Sequence, residues 1–360
     1  MLVGVFGTGR NGSTLITRLL DGLEGTYVHP VEERFLTSFD DLARRGRISR
    51  LVQQNCVSRP LRALDVSLDR DRLTPAFEGS LDEFFTQCEA VAGRDDAVER
   101  VGLSGLLSTG SYRPEAFVRA YLESLARIAR PDLRFDHYLF KSIETPYIAD
   151  YEARFPDMRF VHIVRHPVAV CSSQKMTLFE RKGLPASYMG YDWLACMLNK
   201  RWLPHARFIA EHRNDPRHVV VRYEDLVKDP NGEIERVAGF LGLAPPLHPD
   251  RVTLFGGRTR EDWGANPSKK GVSMPATVVP DLQSRAGYGE ILTRREIDVI
   301  AVKTRSLLGV LGYECPSDVG RLRAAVQYLP IDRWEWANCR SQGYVMRGLF
   351  GMFYRRGALL

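Results

Sequence analysis

Residues 4–15 read GVFGTGRNGSTL, an apolar strand running into a glycine-rich turn and then into the helical pattern LITRLLDGL. Against the phosphate-binding pattern G-x-x-x-x-G-K-[ST], Gly7 and Gly12 fall in place and Thr14 supplies the hydroxyl, but Ser13 stands where the lysine belongs. Glycines in such a turn let backbone N–H groups approach an anion, and a helix expected from Asn11 to Leu23 aims its positive end at the same point. Arg10 adds a cation earlier in the loop than the triphosphate pattern places it, and Ser13 and Thr14 add hydroxyl donors. The loop therefore reads as an anion cradle built for something other than a magnesium-bound triphosphate. No apolar run ends in the Asp that would hold magnesium.

Outward from this loop, strand and helix signals alternate. Apolar runs at Leu2–Phe6, HYLFKS (137–142), RFVHIV (159–164) and HVVVRY (218–223) read as buried strands of a parallel sheet. PVAVCSSQKM reads as a helix with Pro167 in its first turn, Tyr191–His212 as a long aromatic-rich helix, and NGEIERVAGFLGL (231–243) as an amphipathic helix stopped by Gly242. Residues 36–130 read as mostly helical. The expected class is α/β, a central parallel sheet flanked by helices, with a helical insertion and a carboxyl-terminal extension. Ligands of such sheets bind beyond the carboxyl ends of the strands, where the opening loop lies.

A second constellation follows another strand. Arg165 leaves the end of RFVHIV and Ser173 lies eight residues on, about two helical turns into the next element. A guanidinium with a hydroxyl suits a phosphate monoester. A surface ion pair would explain Arg165, and a solvent-facing hydroxyl Ser173. Neither explains why the pair follows a second strand of the same sheet.

Together the loop, the Arg165…Ser173 pair and VRYEDLVKDP (221–230) resemble the sulfotransferases that use 3′-phosphoadenosine 5′-phosphosulfate. The resemblance runs in motif order over roughly residues 2–275, and it implies a P-loop-like fold over residues 1–315, with 316–360 as an extension. It assigns the 5′-phosphosulfate to the loop residues Gly9, Arg10, Asn11, Gly12, Ser13 and Thr14. Gly9 stands where the family commonly has proline, and Asn11 where it has serine. It assigns the 3′-phosphate to Arg165 and Ser173, brings Tyr223 near the nucleotide, and matches Lys269-Lys270-Gly271 to a basic element that closes over the 3′-phosphate. The released product is adenosine 3′,5′-bisphosphate, and no metal is implied.

An attacking hydroxyl or amine must lose a proton, and the departing phosphate oxygen gains charge. In the branch of the family that includes the tyrosylprotein and heparan enzymes, a Glu after the first helix is the base. Glu32, followed by Arg34 and Phe35, fits that pattern, with Glu33, His137 and His29 as alternatives. Lys141, in FKSIETP, matches the leaving-group cation, a role that Arg10 can share; Glu144 stands before Thr-Pro where the family often has a lysine.

Composition narrows the classes. The 360 residues carry a net charge of +6, 44% hydrophobic and 26% charged side chains. That pattern is ordinary for a globular protein, and the spread of the charge argues against nucleic acid. Six scattered cysteines without C-x-x-C point away from metal clusters and disulfides and toward a reducing compartment, the cytoplasm. No apolar run reaches membrane-spanning length, and a strand starting at residue 2 leaves no room for a signal peptide. The aromatic, arginine-rich tail suits packing on its own domain, a partner or a membrane surface. The acceptor is expected to be a small molecule, carbohydrate, lipid or peptide. Two other classes compete: a kinase or nucleotide hydrolase with a degenerate loop, and a non-catalytic anion-binding protein.

Overall fold

The computed structural model describes residues 1–33, 35–36, 118–119, 122–123, 126, 130, 132–182, 194, 197–253 and 291–327. The chain divides into two compact units, Met1–Gly7 with Ser13–Ile163 and Asp215–Val279, and Thr8–Gly12 with Val164–Asn214 and Pro280–Leu360.

The first unit is built on a sheet of five strands among the described residues: β1 (Leu2–Phe6), β2 (Thr26–Glu33), β3 (His137–Ser142), β4 (Arg159–Val164) and β5 (His218–Arg222), in the order β2-β3-β1-β4-β5. The division between units falls at the final residue of β4. β1 pairs in parallel with β3 and β4, and β2 in parallel with β3. Later strands are thus added on both sides of β1, so the chain leaves β1 at the point where the strand order reverses. The strands read as apolar runs because both faces are covered. On one face Leu15, Ile16 and Leu19 of α1 (Ser13–Leu19) pack with Val3, Val5, Leu139, Val161 and Ile163. Ile234, Val237, Ala238 and Leu241 of α6 (Pro230–Leu241) complete that cluster. A second cluster stacks Phe6 on Phe160 and sets Tyr151, from α2 (Ile148–Arg154), edge-on to Phe6. Each such side chain contributes roughly 1.5–3 kcal/mol of transfer free energy.

β5 gives way to α5 (Tyr223–Lys228), so Tyr223 opens a helix rather than closing the strand. Its ring packs on the first unit's core. Asp229 then caps α6 by accepting from Gly232 N at 3.0 Å, and Gly242 ends it in the left-handed conformation at φ 72°.

The second unit contains α3 (Pro167–Lys182), a π turn at Leu198–Trp202 running into α4 (Leu203–His212), α7 (Arg294–Leu308) and α8 (Arg321–Gln327). Fully buried Lys175 of α3 donates to Glu296 of α7 at 2.7 Å. The same Glu296 oxygen accepts from Thr293 N at 2.8 Å, closing the capping box that starts α7. Past residue 315, Ser317 donates to Asp298 at 2.5 Å and its carbonyl accepts from Arg305 at 3.0 Å, tying that segment to α7.

Three sequence expectations need correction. The first helix begins at Ser13 instead of Asn11 and ends at Leu19, followed by a 3₁₀ turn at Leu20–Gly22. The delay has a backbone cause: Gly9, Arg10 and Gly12 all take positive φ, which an α-helix does not admit. Residues Thr26–Glu33, not read as a strand from their sequence, form β2. The helix expected over Tyr191–His212 holds a π turn at Leu198–Trp202, while Tyr191 and Trp193 lie outside the described residues. Most of 36–130 and all of 328–360 lie outside them too.

Candidate active site

Within the second unit the loop and α3 come together. Gly9, Arg10 and Gly12 have φ of 77°, 60° and 92°. Glycine enters this region freely, but Arg10 is the one described non-glycine residue that does so. Such left-handed turns form concave backbone suited to an anion. Asn11 at the turn's centre is fully buried.

The Arg10 Nε donates to Ser173 Oγ at 3.1 Å, and Arg165 Nη1 donates to the Arg10 carbonyl at 3.2 Å. The two cationic elements that the sequence suggested as separate grips are therefore hydrogen-bonded into one cluster. Trp202 fixes its base, donating Nε1–H to the Arg165 carbonyl at 3.0 Å while its ring is buried. That is core packing with a positioning bond. Cys171, on α3 six residues past Arg165, is buried and its thiol is pushed up by desolvation and then by Glu296, which keeps it protonated and inert.

Within the first unit, Ser13 and Thr14 open α1 and Lys141 reaches them from β3. Lys141 is 4% exposed and its Nζ donates to Thr14 Oγ1 at 2.7 Å. The cation missing at Ser13 thus arrives next to Thr14 from a strand 127 residues away. A buried position at the end of β3 rules out the surface turn cap that would otherwise explain Lys141.

Glu32 is half-buried on β2 and is the register partner of Lys141, while Glu33 partners Ser142. Neighbouring register partners project to the same face of a sheet. Glu32 is therefore a strand-end carboxylate whose register partner is a lysine.

The alternative bases separate by position. His29 and Glu33 are both fully buried and bonded to each other, Nε2 to Oε1, at 2.7 Å. His137 is the first residue of β3, four residues before Lys141, so roughly 13 Å of strand separates them. Burial holds the His137 imidazole below its usual range, with the positive N-terminal amino group adding to the effect. Glu144, where a lysine was the common family choice, is buried and accepts from the Tyr151 hydroxyl. Lys269, Lys270 and Gly271 lie outside the described residues.

One group with metal-ligand chemistry occurs among the described residues. Ligand atoms of Glu152, Asp215 and His218 lie within 4.8 Å of one another, but Arg217 bonds to both carboxylates. His218 starts β5, at the opposite end from the strand carboxyl termini, and its Nδ1 is 2.8 Å from His162 Nε2. His162 is accounted for by that bond.

The signals for Arg10, Arg165, Ser173 and Lys141 were present in the sequence. Sequence reasoning missed the Lys141–Thr14 bond and the buried His29–Glu33 pair. The first joins residues 127 apart in sequence, and the second sits in a polar, proline-containing strand.

The model of the sulfotransferase family matches residues 3–247. No curated protein matches closely enough to report as a relative. Among solved structures, the sulfotransferase domain from the curacin biosynthetic pathway is 17% identical, covers 87% of this chain and 98% of its own, and superposes with a TM-score of 0.50. The sulfotransferase domain of the Synechococcus PCC 7002 olefin synthase is 21% identical over 88% of this chain and 95% of its own, at a TM-score of 0.48. At these identities the first likeness speaks for the fold, and the second adds nothing to it. No helix among the described residues is long and apolar enough to cross a membrane. A family match from residue 3 to residue 247 takes in the loop, β1 to β5 and α1 to α6, well over half the sequence, and the chain belongs to the sulfotransferase family.

Proposed function

We propose that the chain transfers a sulfuryl group from 3′-phosphoadenosine 5′-phosphosulfate to a hydroxyl or amine of its acceptor, with Glu32 as the base. The observation that carries this reading is the first unit's pairing of a half-buried carboxylate, Glu32, with a buried cation, Lys141, that is bonded to the first turn of α1. Base and cation on adjacent strands at the carboxyl end of a parallel sheet are what an in-line displacement requires.

When bound, the donor supplies a sulfuryl group on a phosphate leaving group. The left-handed loop residues and the hydroxyls of Ser13 and Thr14 fit a phosphate-bearing ligand, since the glycines keep side chains out of the turn. Glu32 takes the proton from the acceptor as its oxygen or nitrogen bonds to sulfur. Lys141 offsets the charge that collects on the bridging oxygen as the sulfur–oxygen bond breaks, a role that the family resemblance also opens to Arg10. Arg165 and Ser173 hold the 3′-phosphate, a ground-state contact. Tyr223 and the Lys269-Lys270-Gly271 segment belong to the nucleotide side of this proposal. The reaction needs no metal on this reading, because fixed cations and backbone dipoles do the neutralising. The acceptor is a small molecule, carbohydrate, lipid or peptide, and a cytoplasmic location completes the proposal.

Calorimetric titration with adenosine 3′,5′-bisphosphate, with ATP–Mg²⁺ as the control, tests the donor. Preference for the bisphosphate, lost in Arg165→Ala, supports it. Preference for ATP–Mg²⁺ overturns it in favour of a kinase or nucleotide hydrolase.

A further inference from the structure

β2 does not run regularly. Its register with β3 proceeds Thr26↔His137, Tyr27↔Tyr138, Val28↔Leu139 and resumes at Glu32↔Lys141 and Glu33↔Ser142. Three residues, His29, Pro30 and Val31, therefore face the single residue Phe140, and β2 carries two extra residues at this point. Pro30 has no N–H to give to a ladder, which suits it to a bulge.

The same segment contains the His29–Glu33 bond. In a regular strand, residues four apart are separated by roughly 13 Å. His29 Nε2 and Glu33 Oε1 are 2.7 Å apart, and both side chains are fully buried. The bond spans the bulge from its first residue to the residue just past Glu32, so it acts as a cross-brace that holds the bulge folded. The bond joins the imidazole Nε2 to the carboxyl Oε1, and either tautomer of the ring leaves the two residues tied across the bulge.

We infer that the His29–Glu33 pair is a positioning device: it locks the bulge that sets Glu32, the base proposed above, opposite Lys141. Without the two extra residues, continuing from Val28↔Leu139 would set Pro30 against Lys141, and Glu32 would lie two residues, about 7 Å, past it. A slip of two preserves the alternation of faces, so the regular strand is a real competitor. A one-residue slip would instead turn buried side chains outward. The pair therefore decides which carboxylate the lysine meets, and neither His29 nor Glu33 touches the reacting atoms. This inference rests on Glu32 being the base for its catalytic meaning, but the register itself can be measured without any activity.

Disulfide trapping reads the register, with cross-linked peptides identified by mass spectrometry. In the otherwise unchanged chain, a Glu32→Cys/Lys141→Cys pair cross-links and a Pro30→Cys/Lys141→Cys pair does not. Adding Glu33→Ala shifts the preference toward the Pro30 pair by about tenfold, because a buried hydrogen bond is lost and the His29 ring is left without it. Adding Glu33→Gln leaves the Glu32 pair preferred, since the amide can still bond to the His29 ring, as acceptor or as donor. Should Glu33→Ala not fold, His29→Asn replaces it, being too short to span the bulge. An unchanged preference in Glu33→Ala or His29→Asn overturns the inference.

A second readout ties the register to chemistry: sulfate release from 3′-phosphoadenosine 5′-phosphosulfate with water as acceptor. Glu33→Ala lowers its kcat while adenosine 3′,5′-bisphosphate binds within about twofold of the unsubstituted chain, and Glu33→Gln recovers most of the rate. If Glu33→Gln is as inactive as Glu33→Ala, Glu33 is itself the base and the positioning role is lost. If the unsubstituted chain does not bind the bisphosphate, the proposed function fails while the trapping result still stands or falls on its own.

Discussion

Glu32 and Lys141 are register partners on adjacent parallel strands, and the Lys141 ammonium is bonded to Thr14 at the first turn of α1. The pairing sets a half-buried carboxylate opposite a buried lysine at the carboxyl end of the sheet.

Replacing Glu32 with Gln keeps the shape and removes the basic oxygen. Sulfuryl transfer is expected to fall by about 10²–10⁴-fold, with affinity for adenosine 3′,5′-bisphosphate unchanged. Single-turnover release of the bisphosphate measures the first quantity and calorimetry the second. A full rate in Glu32→Gln removes this residue from the mechanism.

Lys141→Met takes the cation out of its buried position without leaving a large void. The rate of transfer should drop about 10²–10³-fold, chiefly in kcat, as expected for a group that acts on developing charge. Thr14→Val, which removes only the hydroxyl partner, should cost less. Steady-state kinetics on both variants would show it, and an effect confined to KM would argue for ground-state binding instead.

Ser173→Ala releases Arg10 Nε from its bond while leaving α3 intact. Bisphosphate affinity should weaken about 5-fold, the value of one ordinary hydrogen bond. Arg165→Lys should weaken it about tenfold or more, because an ammonium cannot reproduce a forked contact. Titration calorimetry at fixed salt distinguishes these from no effect.

Glu296→Gln should destabilise the chain by about 3–5 kcal/mol, since it strands the fully buried Lys175 ammonium without an anion. Burial raises the Glu296 carboxyl and Lys175 opposes the rise, which marks the pair as mutually dependent. The double variant Lys175→Met/Glu296→Gln should recover much of the loss. Urea unfolding of the three proteins measures this, and additive losses would show that the two residues do not interact.

His205 on α4 is buried and its imidazole is lowered to about 3 by desolvation. The unfolded chain takes up a proton near pH 6.5 and the folded chain does not. This contribution to stability is therefore complete above pH 6.5 and is lost as pH falls from there toward 3. At pH 5 the loss is on the order of 2 kcal/mol. His205→Leu should flatten that part of the pH–stability curve, measured by thermal unfolding between pH 5 and 8. An unchanged slope in the variant would show that another group causes it.

Strands β3 and β4, helix α6 with its Gly242 stop, and the order of the loop and the Arg165…Ser173 pair were legible in the sequence, because local forces set them. Fully buried strands need continuous apolar runs, and a left-handed helix stop needs glycine. The Arg and Ser eight apart stood out because they follow one of those runs. β2 was not legible. VHPVEE has a histidine, a proline and two carboxylates, and only the fold's burial of His29 against Glu33 makes a strand of it. Propensity within a short window cannot register a partner that a bulge brings near.

The sequence by itself determined the class of fold and the kinds of residue that meet an anion: glycines that permit positive φ, arginines with a forked donor set, hydroxyls at a helix start. Which of these residues act together was decided only by tertiary structure. Arg10 meets Ser173 across 163 residues and Lys141 meets Thr14 across 127. Such contacts arise from strand order and register, and those are set by how whole faces pack rather than by any local pattern.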